Sequence, residues 1–230
     1  MTRNLILCGG IFHEFHASSD ELGRLLSPLG IESVVEDDIE AGLAALDEGG
    51  FELLTVNALR WQMQGEKYDP YRDEWAMTLS PEGRAAIAGH LDRGGAILGL
   101  HTASICFSDW PGWGDMLGGS WQWGRSWHPP PSALAVAPVD HPLMTGIDTF
   151  TVEDEVYTDL ELRPGIEPLL FSVGDDQHPA QPLLWLHQWG SGRVVYDALG
   201  HDAASLREPS HSEALRRAVA WSLQNSGENG

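Results

Sequence analysis

Lysine is nearly absent from this 230-residue chain. Lys67 is the only one, and all cations together number 13 against 34 acids, a formal charge of −21. Gripping a phosphate backbone takes a lysine and arginine footprint, so the balance excludes nucleic acid as a partner. It excludes an anionic membrane surface on the same ground. Cysteine is almost as scarce: Cys8 and Cys106 make neither a disulfide framework nor a four-cysteine zinc site. No apolar run approaches the roughly 20 residues that span a bilayer. Leu5-Ile6-Leu7, after one arginine, is far shorter than a signal-peptide core. The expectation is a cytoplasmic protein with one domain over residues 1–225 and a disordered polar tail at 226–230. Familiar motifs are missing as well. Gly9-Gly10 lacks the G-x-G-x-x-G spacing, there is no P-loop or G-x-S-x-G elbow, and His13-Glu14-Phe15-His16 is one residue short of H-E-x-x-H.

What is present is alternation. Asn4 to Cys8 reads as a buried strand, and Leu22, Leu25, Leu26 and Leu29 recur at helical spacing behind Ser18-Ser19-Asp20. Ile31 to Val35 is a second strand, Ile39, Leu43 and Leu46 give a helix face, and Phe51 to Val56 is a third strand. Ser80-Pro81-Glu82 opens another helix, and Ala96 to Leu100 is an apolar fourth strand. Strand and helix in turn predict a parallel α/β sheet with right-handed crossovers. Asn57 to Thr78 carries Trp61, Tyr68, Tyr71 and Trp75 without a period, and reads as a loop passing over a site. Short strands follow at 133–138, 150–157, 167–173, 183–187 and 193–197, then a helix over 211–223.

Open α/β sheets bind ligands beyond the carboxyl ends of their strands. His13 follows the first strand, His101 and Thr102 the fourth, and His201 and Asp202 the strand at 193–197. Three histidine-bearing loops are thus expected at one sheet edge. An imidazole moves protons near neutral pH, so His101 and His201 with Glu155 or Asp154 make an acid–base set. With His13 they are equally ligand types for a divalent metal. A polar pocket without catalysis is the third reading. Adjacent acids on a strand face opposite ways, so only one of Asp154 and Glu155 should enter the site. Five of the ten tryptophans fall between Trp110 and Trp127. Trp121 and Trp123 alternate about Gln122 and are expected on one side of a strand. There, with His128, they offer faces for a pyranose ring or serve an oligomer interface. Trp185, Trp189 and Trp221 read as core.

Five ordered pieces carry a resemblance. They are Gly-Gly-Ala-Ile-Leu-Gly-Leu-His-Thr-Ala (Gly94 to Ala103), Leu117-Gly118-Gly119, Asp140-His141-Pro142, Val152 to Tyr157, and Gly192 to Tyr196 with Leu199-Gly200-His201. The set resembles the ThuA-like (trehalose utilisation) family from Leu5 to about Trp221. The resemblance implies the class I glutamine amidotransferase-like superfamily. It therefore implies a flavodoxin-like three-layer sandwich around a mainly parallel sheet, with extra short strands in the second half. It also implies carbohydrate metabolism, on a disaccharide or its keto form. True amidotransferases place a nucleophilic cysteine on a strand-to-helix elbow and a histidine after a later strand. Here the elbow residue is His101, the later histidine is His201, and Cys106 lies five residues past the elbow. An imidazole is a poor substitute for the thiolate of a glutamyl thioester, so glutaminase activity is not expected. In the family pattern the acid before x-Tyr is the notable one, which is Glu155. The expected catalytic set is His101, His201 and Glu155. The expected substrate-binding set is His13, Thr102, Trp121, Trp123, His128, Tyr157 and Asp202. No metal ligand is assigned and no cofactor is firmly implied, a divalent metal standing as the alternative. The expected partner is a small-molecule carbohydrate, with a homo-oligomer left open.

Overall fold

The apolar runs form strands close to where the pattern puts them, in a computed structural model that describes residues 2–174 and 179–224. The tail expected at 226–230 lies outside the described residues. The first half runs β1 (Thr2–Gly9), α1 (Phe15–Leu26), β2 (Ile31–Glu36), α2 (Ile39–Glu48), β3 (Leu53–Ala58), α3 (Asp69–Trp75), α4 (Pro81–Asp92) and β4 (Ala96–Leu100). The second half begins with α5 (Pro111–Leu117), β5 (Gly119–Ser120), β6 (Ser132–Pro138), β7 (Phe150–Asp154) and β8 (Glu161–Leu162). It closes with β9 (Glu167–Ser172), β10 (Pro182–Trp189), β11 (Gly192–Asp197), α6 (Ala203–Arg207) and α7 (Pro209–Ser222).

The main sheet has the order β2-β1-β3-β4-β11-β10-β9-β6-β7. Its first five strands are parallel, the flavodoxin-like arrangement with β11 in fifth place. The other four extend it in antiparallel fashion, while β5 and β8 pair separately. Every residue of β3 and β4 is buried, as a parallel strand covered on both faces requires. Capping ties the covering helices together. Asp38 accepts from the Ala41 amide at the start of α2, and Ser80 accepts from Gly83 at the start of α4. The Ser80 hydroxyl also donates to Glu40 at 2.7 Å, joining the two helices.

Several expectations need correction. Leu29 is exposed rather than on the buried face of α1, because Pro28 tightens the chain into a 3₁₀ turn at Ser27–Leu29. The segment 57–78 is not structureless: it holds a 3₁₀ turn at Glu66–Tyr68 and then α3. The strand expected to reach Tyr157 ends at Asp154. Trp121 and Trp123 lie on a turn rather than a strand, with the amides of Arg125 and Ser126 both donating to the Gln122 carbonyl. Trp185 is core, whereas Trp189, at the outer end of β10, is exposed.

One charged pair sits inside this apolar frame. His211 of α7 and Asp197, the last residue of β11, are both fully buried, with Nε2 to Oδ2 at 2.7 Å. His211 Nδ1 lies 2.8 Å from the Ser205 carbonyl, which only accepts, so both ring nitrogens donate and the ring is an imidazolium. Burial opposes that charge, but Asp197 outweighs it and the pKa is pushed up to about 9. A histidine raised in the folded state stabilises fully below its unfolded pKa of about 6.5. That contribution is lost as pH rises through 9. Urea unfolding is therefore expected to show stability declining between roughly pH 6.5 and 9, with the decline flattened in His211→Gln. An equal slope in the variant would assign the decline to other groups.

Candidate active site

The site begins with an elbow. β4 delivers the chain to His101, which adopts a left-handed backbone (φ +47°) and opens a 3₁₀ turn to Ser104. Such a conformation is uncommon for a residue with a Cβ and needs outside support. The neighbouring strand supplies it: Tyr196 Oη donates to the His101 carbonyl at 2.7 Å, and His101 Nδ1 donates to the Ala198 carbonyl at 2.7 Å. His13 arrives from the end of β1 by a close crossing. Gly10 has φ +148°, and a Cβ there would stand 2.7 Å from the Leu59 carbonyl oxygen, so only glycine lets the chain pass over the end of β3.

Glu155 comes from the opposite edge of the sheet. It is the first residue past β7, and its amide donates to Asp154 Oδ1 at 2.7 Å. The other oxygen of Asp154 accepts from the Gly200 amide at 2.8 Å and from the Ser205 hydroxyl. Asp154 thus faces the scaffold and Glu155 the site, and the loop carrying His201 is fixed beside both. The ring centroids of His13, His101 and His201 lie 4.6 to 5.5 Å apart. Glu155 Oε2 is 3.4 Å from His101 Nε2, 3.6 Å from His201 Nδ1 and 3.2 Å from His128 Nδ1. Tyr157 stacks behind, 4.5 Å from His101 and 5.2 Å from Trp121.

The electrostatics follow from this crowding. Burial pushes the Glu155 carboxyl up, but His101, His128 and His201 around it outweigh burial and hold it well below the usual carboxylate range. Glu155 in turn raises His128 and His201. His13 goes the other way, lowered to about 4 by burial and by its neighbour His101, so at neutral pH it carries no charge. Despite the short distances, His13 Nε2, His101 Nε2, His201 Nδ1 and Glu155 Oε2 are all buried without a hydrogen-bond partner.

A cavity of about 350 Å³ opens onto this cluster. Glu155, His13, His128, His201 and Tyr157 form one end, and Trp61, Tyr68, Trp121 and Trp123 form the walls, with Phe12 and Lys67 at the rim. Trp61 and Trp123 stack at 5.9 Å, and Trp123 is half exposed. A slightly larger hollow of about 420 Å³ lies at the amino ends of β3, β4 and β11, around Gly50, His90 and Gly95. Its histidine is already bonded to the Ala96 carbonyl, so it brings no chemistry together.

Of the residues singled out from sequence, His13, Trp121, Trp123, His128, Glu155, Tyr157 and His201 line the cavity. His101 sits behind Glu155 and does not line it. Thr102 and Asp202 are elsewhere, which corrects their expected place at the substrate. Thr102 is buried with its hydroxyl on the Ala58 carbonyl, and Asp202 caps α6 through the amides of Ala204 and Ser205. Trp61, Tyr68, Phe12 and Lys67 were not singled out as site residues, although the aperiodic aromatic stretch at 57–78 was the signal for the first two. Cys106 is buried, donates to the Ala58 carbonyl at 3.0 Å, and has its pKa pushed up by burial to about 12. A thiol so placed is not a thiolate at neutral pH.

A flavodoxin-like sheet with a histidine on the elbow, and a carboxylate where an antiparallel extension folds back to it, defines the class of α/β protein. The chain belongs within it to the ThuA family, described as trehalose utilisation, whose model matches residues 43–222. Solved structures agree on the fold. A ThuA-like protein from Parabacteroides merdae ATCC 43184 superposes with a TM-score of 0.75 at 17% identity, over 97% of this chain and 90% of that one. One from Bacteroides uniformis ATCC 8492 gives 0.69 at 17% identity, over 96% and 90%. A cytoplasmic protein from Salmonella typhimurium LT2 gives 0.59 at 13% identity, over 96% of each chain. No curated protein sequence matches. Among the described residues no helix is long and apolar enough to cross a membrane.

Asp154 provides the test of how this site is held. Replacing it by alanine leaves the Gly200 amide without its acceptor and is expected to cost about 3 kcal/mol, the range for buried hydrogen bonds to charge. Hydrogen exchange at the Glu155 and Gly200 amides should accelerate ahead of the rest of the sheet. Uniform acceleration would show that Asp154 supports the whole fold and not this junction.

Proposed function

We propose that this ThuA-family protein binds a neutral carbohydrate, a disaccharide or its keto form, in the aromatic cavity and moves a proton on it at the Glu155 end. One observation carries the reading: a single cavity joins flat indole walls to a buried ionised carboxylate ringed by imidazoles. Indole faces suit the apolar C–H faces of a pyranose, and polar groups at one end orient its hydroxyls. The cavity's acid–base groups are of the kind that enolise a carbon beside a carbonyl or protonate a leaving oxygen. The strongly acidic chain favours an uncharged substrate over a sugar phosphate.

In this reading the roles expected from sequence are redistributed. His201 and His128 face the cavity and are the imidazoles a sugar reaches, while His101 acts through Glu155 as a positioning residue. Glutaminase chemistry has no support here, since Cys106 is a buried, protonated thiol off the elbow. The cytoplasmic setting expected from the sequence and the absence of nucleic-acid and membrane partners belong to this reading.

A thermal-shift screen over neutral mono- and disaccharides and their keto forms tests it without assuming a reaction. At least one neutral disaccharide or keto-sugar should raise the melting temperature. Trp123→Ala, at an exposed position, should weaken that ligand about tenfold, the worth of a lost aromatic contact. Glu155→Gln should keep binding within a few-fold and abolish deuterium exchange beside the carbonyl or cleavage of the glycoside. Preference for sugar phosphates would overturn the substrate class. Binding without any turnover would make the protein a carbohydrate-binding module.

A further inference from the structure

Four unpartnered polar atoms gather at and just behind the floor of the cavity. His101 Nδ1 lies 2.7 Å from the Ala198 carbonyl and His13 Nδ1 lies 3.3 Å from the Ile11 carbonyl. A carbonyl oxygen only accepts, so in both rings Nδ1 carries the proton. Each ring then turns Nε2 toward the cluster. His101 Nε2 faces Glu155 Oε2 at 3.4 Å without a hydrogen bond. His201 Nδ1 joins them at 3.6 Å from the same oxygen, again with no hydrogen bond. His101 and Glu155 are only 2% and 5% exposed, which leaves water little access to them. Unpartnered buried polar atoms cost about 1–3 kcal/mol each, and four gathered at one point are what a bound ion would satisfy.

We infer that His13, His101, His201 and Glu155 form a binding site for one divalent transition-metal ion of the zinc type. One ligand atom from each of the four lies within 4.8 Å of the other three. A tetrahedral centre with bonds of about 2.0–2.1 Å has edges of about 3.3–3.4 Å, close to the two His–Glu separations above. Three imidazoles and one carboxylate suit zinc, cobalt or a neighbouring first-row ion, whereas magnesium and calcium favour all-oxygen sites. The outer contacts also fit. Metal-bound histidines usually donate their remaining N–H to a backbone carbonyl or carboxylate, as His101 does to Ala198 and His13 to Ile11. His13, His201 and Glu155 line the cavity, so an ion held by them is open to a ligand entering there. With the ion bound, His201 becomes a ligand and His128 is the imidazole left free to move a proton. The inference stands on the donor geometry and does not rest on the carbohydrate reading.

The test is direct metal binding. Protein made without a histidine tag is stripped with chelator and titrated with Co²⁺, followed by its visible ligand-field absorption and by calorimetry, then displaced with Zn²⁺. One Co²⁺ per chain with a four- or five-coordinate spectrum is expected. His201→Ala, on a surface loop, and Glu155→Gln should each weaken binding more than about 100-fold, beyond the effect of losing an outer-shell partner. Circular dichroism checks that both variants are folded. His16→Ala should leave binding unchanged, although His16 belongs with Cys8 and Asp37 to the other group of donor residues found among the described residues. No Co²⁺ or Zn²⁺ binding above the His201→Ala level would overturn the site, as would loss of binding in His16→Ala alone. A bound ion with no sugar response would retain this inference and remove the carbohydrate reading, and a sugar response in protein that binds no metal would do the reverse.

Discussion

The carboxylate of Asp154 is the junction on which the site depends. It belongs to β7, the last strand of the antiparallel extension, yet its partners are the Gly200 amide and the Ser205 hydroxyl beyond the end of β11. Through it the outermost strand is brought back to the middle of the sheet, and the next residue, Glu155, is delivered to histidines that come from the parallel half. A buried carboxylate is tolerable only when its oxygens are satisfied, and here backbone and hydroxyl donors do that. The second buried acid, Asp197, works in parallel: it accepts from the Leu199 amide and pairs with His211, holding the same loop from its other side. Two acids thus fix one short loop, and that loop presents both His201 and the carbonyl that orients His101.

The division of labour between the sheet halves explains the asymmetry of the site. The parallel half contributes imidazoles at strand ends, where a flavodoxin-like sheet places ligands. The antiparallel half contributes the carboxylate, Tyr157 and His128. The long connection between β3 and α4 adds Trp61 and Tyr68 as a wall. Apart from Lys67 at the rim, the charged groups gather at the floor of the cavity while its sides are aromatic, so most of a ligand is gripped by shape and contact.

The fold and the histidine cluster were legible in the sequence for different reasons. Apolar runs specify the parallel strands because a doubly covered sheet favours apolar residues, as β4 shows, and admits polar ones only when they are hydrogen-bonded, as Thr55 and Asn57 of β3 are. His13, His101 and His201 were legible because each immediately follows a strand. The positions of Thr102 and Asp202 misled because adjacency in sequence does not decide which way a side chain turns: the elbow at His101 directs Thr102 into the scaffold, and α6 takes Asp202 as its cap. Asp154 and Glu155 were separable in principle by strand alternation, but the strand ends between them, so backbone departure rather than alternation sends Glu155 into the site. The turn at 122–126 and the wall from 57–78 depend on tertiary contacts that no local pattern encodes.

The left-handed backbone at His101 sets stability against chemistry at one position. A residue with a Cβ costs roughly 1 kcal/mol or more in that conformation, and glycine removes the penalty. Selection for heat resistance alone would therefore drift toward glycine at position 101, giving a sturdier sheet with a blank where the imidazole stood. A protein that keeps histidine at the elbow accepts a lower melting temperature as the condition of having a side chain there at all.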